Sequence, residues 1–513
     1  MLKQFAILLM LLVSTGKLLA QMESTAFSAT GRGGVATTFT TDYQTIGINP
    51  ANLGFHKSFR DPKLTIGFLE MNTTFFSEAM SRKELFDAMF KSTDVQFTAE
   101  QKQLAANKLA NTAISLNADV MLIGIGLQLP NNQGVAFSIR DRIQLYTQIN
   151  ENAAEIAFMG ASAGYFPKLL LSDGSVISNP RHPSNEGMTE LSQETLDQVV
   201  NGLFLSDDNA SNYSDILDGS RISSSWFREI NLSYGKQLVE TYDFSLYAGL
   251  GVRYIQGMML IELAAQNGEL VSSNISMSSD FGLSFGDSLE VTNPTFEPSN
   301  QVSTFNMLAT PNPVGKGYGL DFGITMRIKR NLYVGLAITN LGNIKWDGNV
   351  YEVTDGKLVQ FAGAGFDNYN LLASSQGAFQ FAGDKSPFSW EGSSSITQEL
   401  PSTIRLGGSY EIYRTFHVGI DVVVPRNRIA GNLEKPLYAV GGDFRVSKII
   451  KVSTGFNFGG NNDSKVNLPA GITYMARKGF YETGIATRDI TTFFGDFGGS
   501  TVSFAAGFLR FKL

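Results

Sequence analysis

Three histidines, His56, His182 and His417, are the only imidazoles in 513 residues, and no two share the His-X-X-X-His spacing of a metal pair. Cysteine is absent, which removes thiolate metal sites, catalytic thiols, disulfides and a lipoprotein anchor. Gly31-Arg32-Gly33-Gly34 is glycine-rich but lacks the Lys-Ser/Thr and the preceding buried strand of a phosphate-binding loop. Gly-X-Ser-X-Gly does not occur, and the acidic pair Asp207-Asp208 reads as solvated loop charge. These residues argue against an enzyme, a cofactor and a metal. A different set carries the chemistry. Arg140, Arg142, Arg253, Asp321, Arg327, Arg405, Glu411, His417, Asp421, Asp443 and Arg445 each sit within strongly alternating apolar runs. Such charges could line a path for ligands or ions, or pair with one another to hold an interior rigid; the second use is the commoner.

The elements that must position them are strands. From Gly319 to Leu341, Leu320, Phe322, Ile324, Met326 and Ile328 share one face, and Leu332, Val334, Leu336 and Ile338 share one face on the return. Asp321, Gly323, Thr325 and Arg327 lie opposite. Side chains alternate across a strand, so this is a two-faced hairpin turning at Lys329-Arg330-Asn331. Each arm has about ten residues, enough to cross a bilayer at a tilt. The design repeats at 226–235 with 242–255, at 404–412 with 416–424, at 438–446, and in candidates over 449–458, 467–475 and 479–487. Ser503–Leu513 is a final amphipathic strand whose phase slips between Phe508 and Leu509, predicting a bulge. Asp141 interrupts the apolar face of the strand around Val135–Leu145 and marks an interface or a bulge.

Charged residues are only 17%, mean hydropathy is −0.02, and no stretch of the body approaches the ~20 apolar residues of a spanning helix. The start differs. Met1-Leu2-Lys3, an apolar core from Phe5 to Val13, and Leu18-Leu19-Ala20 before Gln21 predict a cleaved signal peptide over 1–20. Cleavage removes Lys3 and Lys17, taking the net charge from −7 to −7 − 2 = −9. An acidic exported chain has no electrostatic case for nucleic acid. Short helices are predicted over 82–90 and from the capping box at Thr98–Gln101 to about Ala110. Another is predicted from Thr189 to about Leu205.

Residues 21–60 are polar and small, and contain Asn49-Pro50-Ala51-Asn52-Leu53-Gly54. An exported chain with this Asn-Pro-Ala-X-Leu-Gly sequence followed by amphipathic strands resembles the FadL/OmpP1-type outer-membrane barrels. It is also similar to the PorV-like barrels of type IX secretion in Bacteroidota. The resemblance implies about fourteen strands, and a hatch or plug formed by the segment holding Asn49, Pro50, Ala51, Asn52, Leu53 and Gly54. It also implies passage or binding of hydrophobic small molecules. The alternative is a non-transporting subunit that docks a secretion or surface-assembly complex.

The expected architecture is therefore all-β: a transmembrane antiparallel barrel over 61–513, with long external loops at about 160–224, 271–312 and 343–402, in contact with outer-membrane lipid. Alternation alone fits a soluble sandwich equally well, with its apolar faces turned inward. The signal peptide, the terminal strand and the one-sided long loops favour the barrel.

Overall fold

The computed structural model describes residues 26–55, 62–81, 83–84, 96–281, 283–284, 295–296, 302–329, 331–369, 390–412, 415–427, 429, 431–433, 435–460, 462–494 and 501–513. The expectations for 1–20 and most of the helix over 82–90 lie outside these residues.

Fourteen antiparallel strands close into one ring. In chain order they are β1 Leu64–Ser77, β2 Ala113–Leu129, β3 Gln133–Gln148, β4 Arg221–Glu240, β5 Phe244–Gln266, β6 Gly315–Ile328 and β7 Leu332–Trp346. Then come β8 Thr403–Ile412, β9 Phe416–Pro425, β10 Leu437–Arg445, β11 Ile450–Gly459, β12 Ala470–Ala476, β13 Tyr481–Thr487 and β14 Thr501–Lys512. Each pairs with the next, and β1 pairs with β14 to close the circle. Closure gives the ring no free edge, the condition for a sheet to sit in hydrocarbon.

The faces settle the choice between barrel and sandwich. On β6, Leu320, Phe322 and Ile324 are 41%, 45% and 48% exposed, whereas Asp321 and Thr325 are 2% and 0% exposed. The same division holds on the neighbouring strands, where Leu250, Val252, Leu336, Leu406, Ile420 and Ile472 also face out. The apolar face is the outer wall, and the polar face is enclosed.

One end has short turns. At the β2–β3 turn, Asn131 and Asn132 both adopt left-handed φ, 61° and 52°, the geometry of a tight hairpin that Asn tolerates. The β4–β5 hairpin runs further than the sequence suggested, with Glu240 opposite Ser245. The predicted slip near Phe508 is a bulge. Glu482 opposes Arg510 while Gly484 opposes Gly507, so two residues of β14 face one of β13; toward β1 the register is kept, with Phe68 opposite Leu509 and Glu70 opposite Gly507. Leu69, the skipped residue on β1, has φ 54°.

The opposite end carries a head with its own cores. Within 160–224 the chain forms strands Lys168–Leu171, Val176–Ser178 and Val199–Leu203, which join Gln360–Phe361 in a four-stranded sheet. The helix expected from Thr189 to Leu205 is instead the single turn Gln193–Leu196 followed by the Val199–Leu203 strand, because pairing with Lys168–Leu171 overrides local propensity. Glu269–Met277, inside the expected 271–312 loop, pairs with β5 and continues the wall upward. Helix Ala99–Leu109 has the predicted capping box at Thr98 and packs beside helix Glu151–Met159.

Candidate functional site

The interior has two levels. Near the head, β3, β4, β5 and β6 each turn charged side chains inward. Glu229 of β4 accepts from Arg140 at 2.5 Å, from Arg142 at 3.1 Å and from Arg253 at 3.1 Å. Asp119 of β2 lies 3.6 Å from Arg140, and Asp321 accepts from Arg253. Three guanidinium groups thus face three carboxylates, and Arg140, Arg142, Arg253, Glu229 and Asp321 are all within 2% of full burial. Four residues read from the sequence as inward, Arg140, Arg142, Arg253 and Asp321, meet here. The group that joins them, Glu229, was missed, although it stands between Phe227 and Asn231 on the polar parity of β4.

Below this cluster, residues 26–55 lie inside the ring, contacting inward-facing groups on strands all round it. Asn49 caps the turn Pro50–Gly54, its side-chain oxygen accepting from the Ala51 amide at 3.2 Å. Asn49 Nδ2 donates to Thr325 Oγ1 of β6 at 2.9 Å, and Thr325 Oγ1 donates in turn to Asn52 Oδ1 at 2.9 Å. Both asparagines also donate to the Thr37 carbonyl at 3.0 Å. The two asparagines of the motif are therefore a matched pair that closes 37–52 on itself and ties it to one wall residue. Pro50 opens the turn, where its fixed φ suits and its missing N–H is not needed. Leu53 is buried with Tyr43, Ile46, Met121 and Ala136. The wall makes room with glycine: a Cβ on Gly249 would overlap the Pro50–Ala51 backbone, and one on Gly323 would overlap the Asn49 side chain.

Charge fixes the rest of the segment. Asp421 of β9 accepts from the Ala36 and Thr37 amides, each at 2.9 Å, and from Thr37 Oγ1 at 2.7 Å. Arg405 of β8 reaches the Gly34 carbonyl at 3.3 Å and lies 4.0 Å from Asp421. Arg32 pairs with Asp443 at 3.0 Å, and Asp42 with Arg510 of β14 at 2.6 Å. Glu70 of β1 accepts from the Tyr43 hydroxyl and the Gln44 amide. Phe39 stacks on His417 with ring centroids 3.7 Å apart, so this histidine supports the segment.

The remaining sequence candidates lie toward the short-turn end. Glu411, His417, Asp443 and Arg445 line a polar cavity of about 200 Å³ between the segment and the wall, together with Arg32, Lys451, Glu482, Arg510 and Lys512. Arg327 stands apart, donating to Ser245 Oγ at 2.9 Å. Arg32, Asp42, Glu70, Glu482 and Arg510 were not singled out from the sequence: Arg32 and Asp42 meet partners 411 and 468 residues away, and Glu70 and Glu482 meet theirs 26 to 30 residues away on other elements. Among the described residues there is no cluster of three or more His, Asp or Glu that could hold a metal.

The head is apolar inside. Phe166, Tyr213, Tyr351, Phe361 and Trp390 form one core, and Phe75, Met80, Leu109, Ile114 and Phe158 a second over the mouth of the ring. Burial pushes the Tyr165 and Tyr213 hydroxyls up in pKa.

A closed ring of fourteen antiparallel strands with an apolar exterior and a charged interior defines a transmembrane β-barrel. Residues 187–478, more than half of the chain, match the model of a family described as a family of unknown function (DUF5723), and the chain belongs to that family. No curated protein matches. Among solved structures the chain is similar to the Ralstonia pickettii toluene transporter TbuX, with 10% identity, 95% of this chain and 98% of that chain covered, and a TM-score of 0.44. It is similar to a Pseudomonas aeruginosa FadL homologue at 11% identity, with 96% and 99% covered and a TM-score of 0.38. The Pseudomonas putida toluene transporter TodX gives 9% identity, 94% and 95% covered, and a TM-score of 0.40.

Proposed function

We propose that the protein is an outer-membrane barrel that binds or passes hydrophobic small molecules, with residues 26–55 as its plug and the head outside the cell. The observation that carries this reading is the segregation of the interior. Near the head the lumen charges pair with one another, and below them Arg405, Asp421, Asp443 and Arg510 are committed to the 26–55 segment, so the open polar space is a cavity of about 200 Å³ toward the short-turn end and not a continuous aqueous path. Apolar, aromatic-rich clusters gather instead at the mouth and in the head. A hydrophobic compound would meet complementary surface there first, and would need the plug to shift before going further. The Asn49–Gly54 turn, seated on glycines and one threonine, is the part of that plug closest to the β5–β6 wall.

The test is uptake. Cells lacking the protein should accumulate at least one class of labelled hydrophobic compound more slowly, and the wild-type gene should restore the rate. Unchanged uptake across alkanes, monoaromatics and fatty acids sinks the reading. The docking role drawn from the secretion barrels has no feature among the described residues in its favour.

A further inference from the structure

The outer wall is not apolar throughout. A row of directly paired residues crosses it from β3 to β7: Asp141 opposite Arg228, Arg228 opposite Gln256, Gln256 opposite Lys316, and Lys316 opposite Lys345. All five have outward parity, since Ile139, Ile230, Tyr254 and Tyr318 flank them two positions away on the same face. Asp141 and Arg228 satisfy each other in a fork, at 2.9 and 2.8 Å. The other half of the row has no such closure. Lys316 and Lys345 are both exposed, and among the described residues neither has a hydrogen bond or an ion pair. Like charges placed directly opposite each other on one face of a sheet repel. Such a pair is stable where an anion lies between them.

The level of the pair says which anion. One step toward the short-turn end, Tyr318 is 71% exposed and packs against Tyr254 with ring centroids 5.5 Å apart. Below them Leu320, Phe322, Ile324, Val252 and Leu250 face outward without a charge. Tyrosine ends the apolar band where hydrocarbon meets headgroups. The lysines therefore stand at headgroup height on the head side of the membrane.

We infer that Lys316 and Lys345, with Gln256 beside them, form a clamp for the phosphate of an outer-leaflet glycolipid. The two ammonium groups share the phosphate oxygens, the Gln256 amide adds a donor, and the acyl chains run down the Tyr318–Ile324 face. This rests on the apolar wall meeting lipid, and the test separates the two claims.

The experiment uses the full chain in detergent micelles, with binding read by native mass spectrometry. The probes are a bis-phosphorylated acylated glucosamine disaccharide, the same lipid with its phosphates removed, and inorganic phosphate. Folded state is read throughout from the mobility of unboiled protein on gels. The phosphorylated lipid should bind best, and the K316Q/K345Q variant should bind it about thirtyfold more weakly. K236Q, an exposed outward lysine at the other rim, should bind as wild type does. Equal binding of the dephosphorylated lipid overturns the clamp, as does unchanged binding by folded K316Q/K345Q. Competition by inorganic phosphate at the lipid's own concentration makes the site one for free anions and overturns the lipid assignment. A wild-type complex of two chains that K316Q/K345Q dissociates makes the row a protein interface and overturns it too. Insertion of the wild type into phosphatidylcholine vesicles is measured alongside: protein that inserts yet shows no phosphate preference refutes only the clamp, and protein that does not insert refutes the membrane reading itself.

Discussion

Replacing Glu229 by Gln keeps its volume and removes the charge that three arginines share. In the native cluster, three guanidinium groups face Asp119, Glu229 and Asp321, so the local sum is zero. In Glu229→Gln it is +1, with Arg140, Arg142 and Arg253 each at most 2% exposed. The new amide oxygen can still accept one hydrogen bond, but its NH₂ points at cations. Breaking a buried ion pair from one side costs about 3–5 kcal/mol, and the retained acceptor puts this variant near the lower end, about 3 kcal/mol. Urea unfolding of the barrel in detergent, followed by loss of the compact gel form, measures it. Arg142→Gln in the same background returns the sum to zero. The double variant should then be less destabilised than the two singles added, by at least about 1 kcal/mol. A Glu229→Gln protein within about 0.5 kcal/mol of wild type, or strictly additive singles, would refute the idea that the lumen is held by balanced charge.

Other outcomes follow from the interior segment and the head. Asp421→Asn loses charge at a carboxylate bonded to the Ala36 and Thr37 amides; protease access and amide exchange over 34–40 should rise, at a cost of about 1–3 kcal/mol locally. Gly249→Val should keep the ring folded while expelling the Pro50–Gly54 turn from its seat, read as increased conductance in planar bilayers. Unchanged conductance would remove the plug role from that turn. Trp390→Ala, in the head core, should cost about 3–5 kcal/mol of head stability and expose the head to protease without lowering the barrel's unfolding midpoint.

Strand parity made much of this legible in the sequence. Leu320 to Ile328 alternating with Asp321 to Arg327 defines a two-faced strand, and it assigns Arg140, Arg142, Arg253 and Asp321 inward without any partner being known. Parity does not give neighbours. Glu229 could be placed on the polar face of β4, but its meeting with three arginines needs the register of four strands. Arg228 escaped notice for the same reason: Asp141 looks like a flaw in an apolar face until the strand beside it is aligned. The head was least legible. Above Gly257 the alternation of β5 is broken by the extra residue Met258, and the segments that complete the sheet are two to five residues long, too short to show a period. The Asn49–Gly54 turn could be recognised as a compact loop, whereas its seat on Gly249 and Gly323 is a fact about distant residues.

The ring closes where β1 meets β14, and Arg510 on β14 holds both Glu482 of β13 and Asp42 of the enclosed segment. A segment encircled by fourteen strands has two ways in: before the last pair of edges zips, or later through an open end. The bond from Asp42 to the closing strand ties the first route to the zipper itself, because the same side chain that docks the guest sits on the final edge. Biogenesis of this chain is thus a packing problem in time as well as in space, with loading and sealing sharing one arginine.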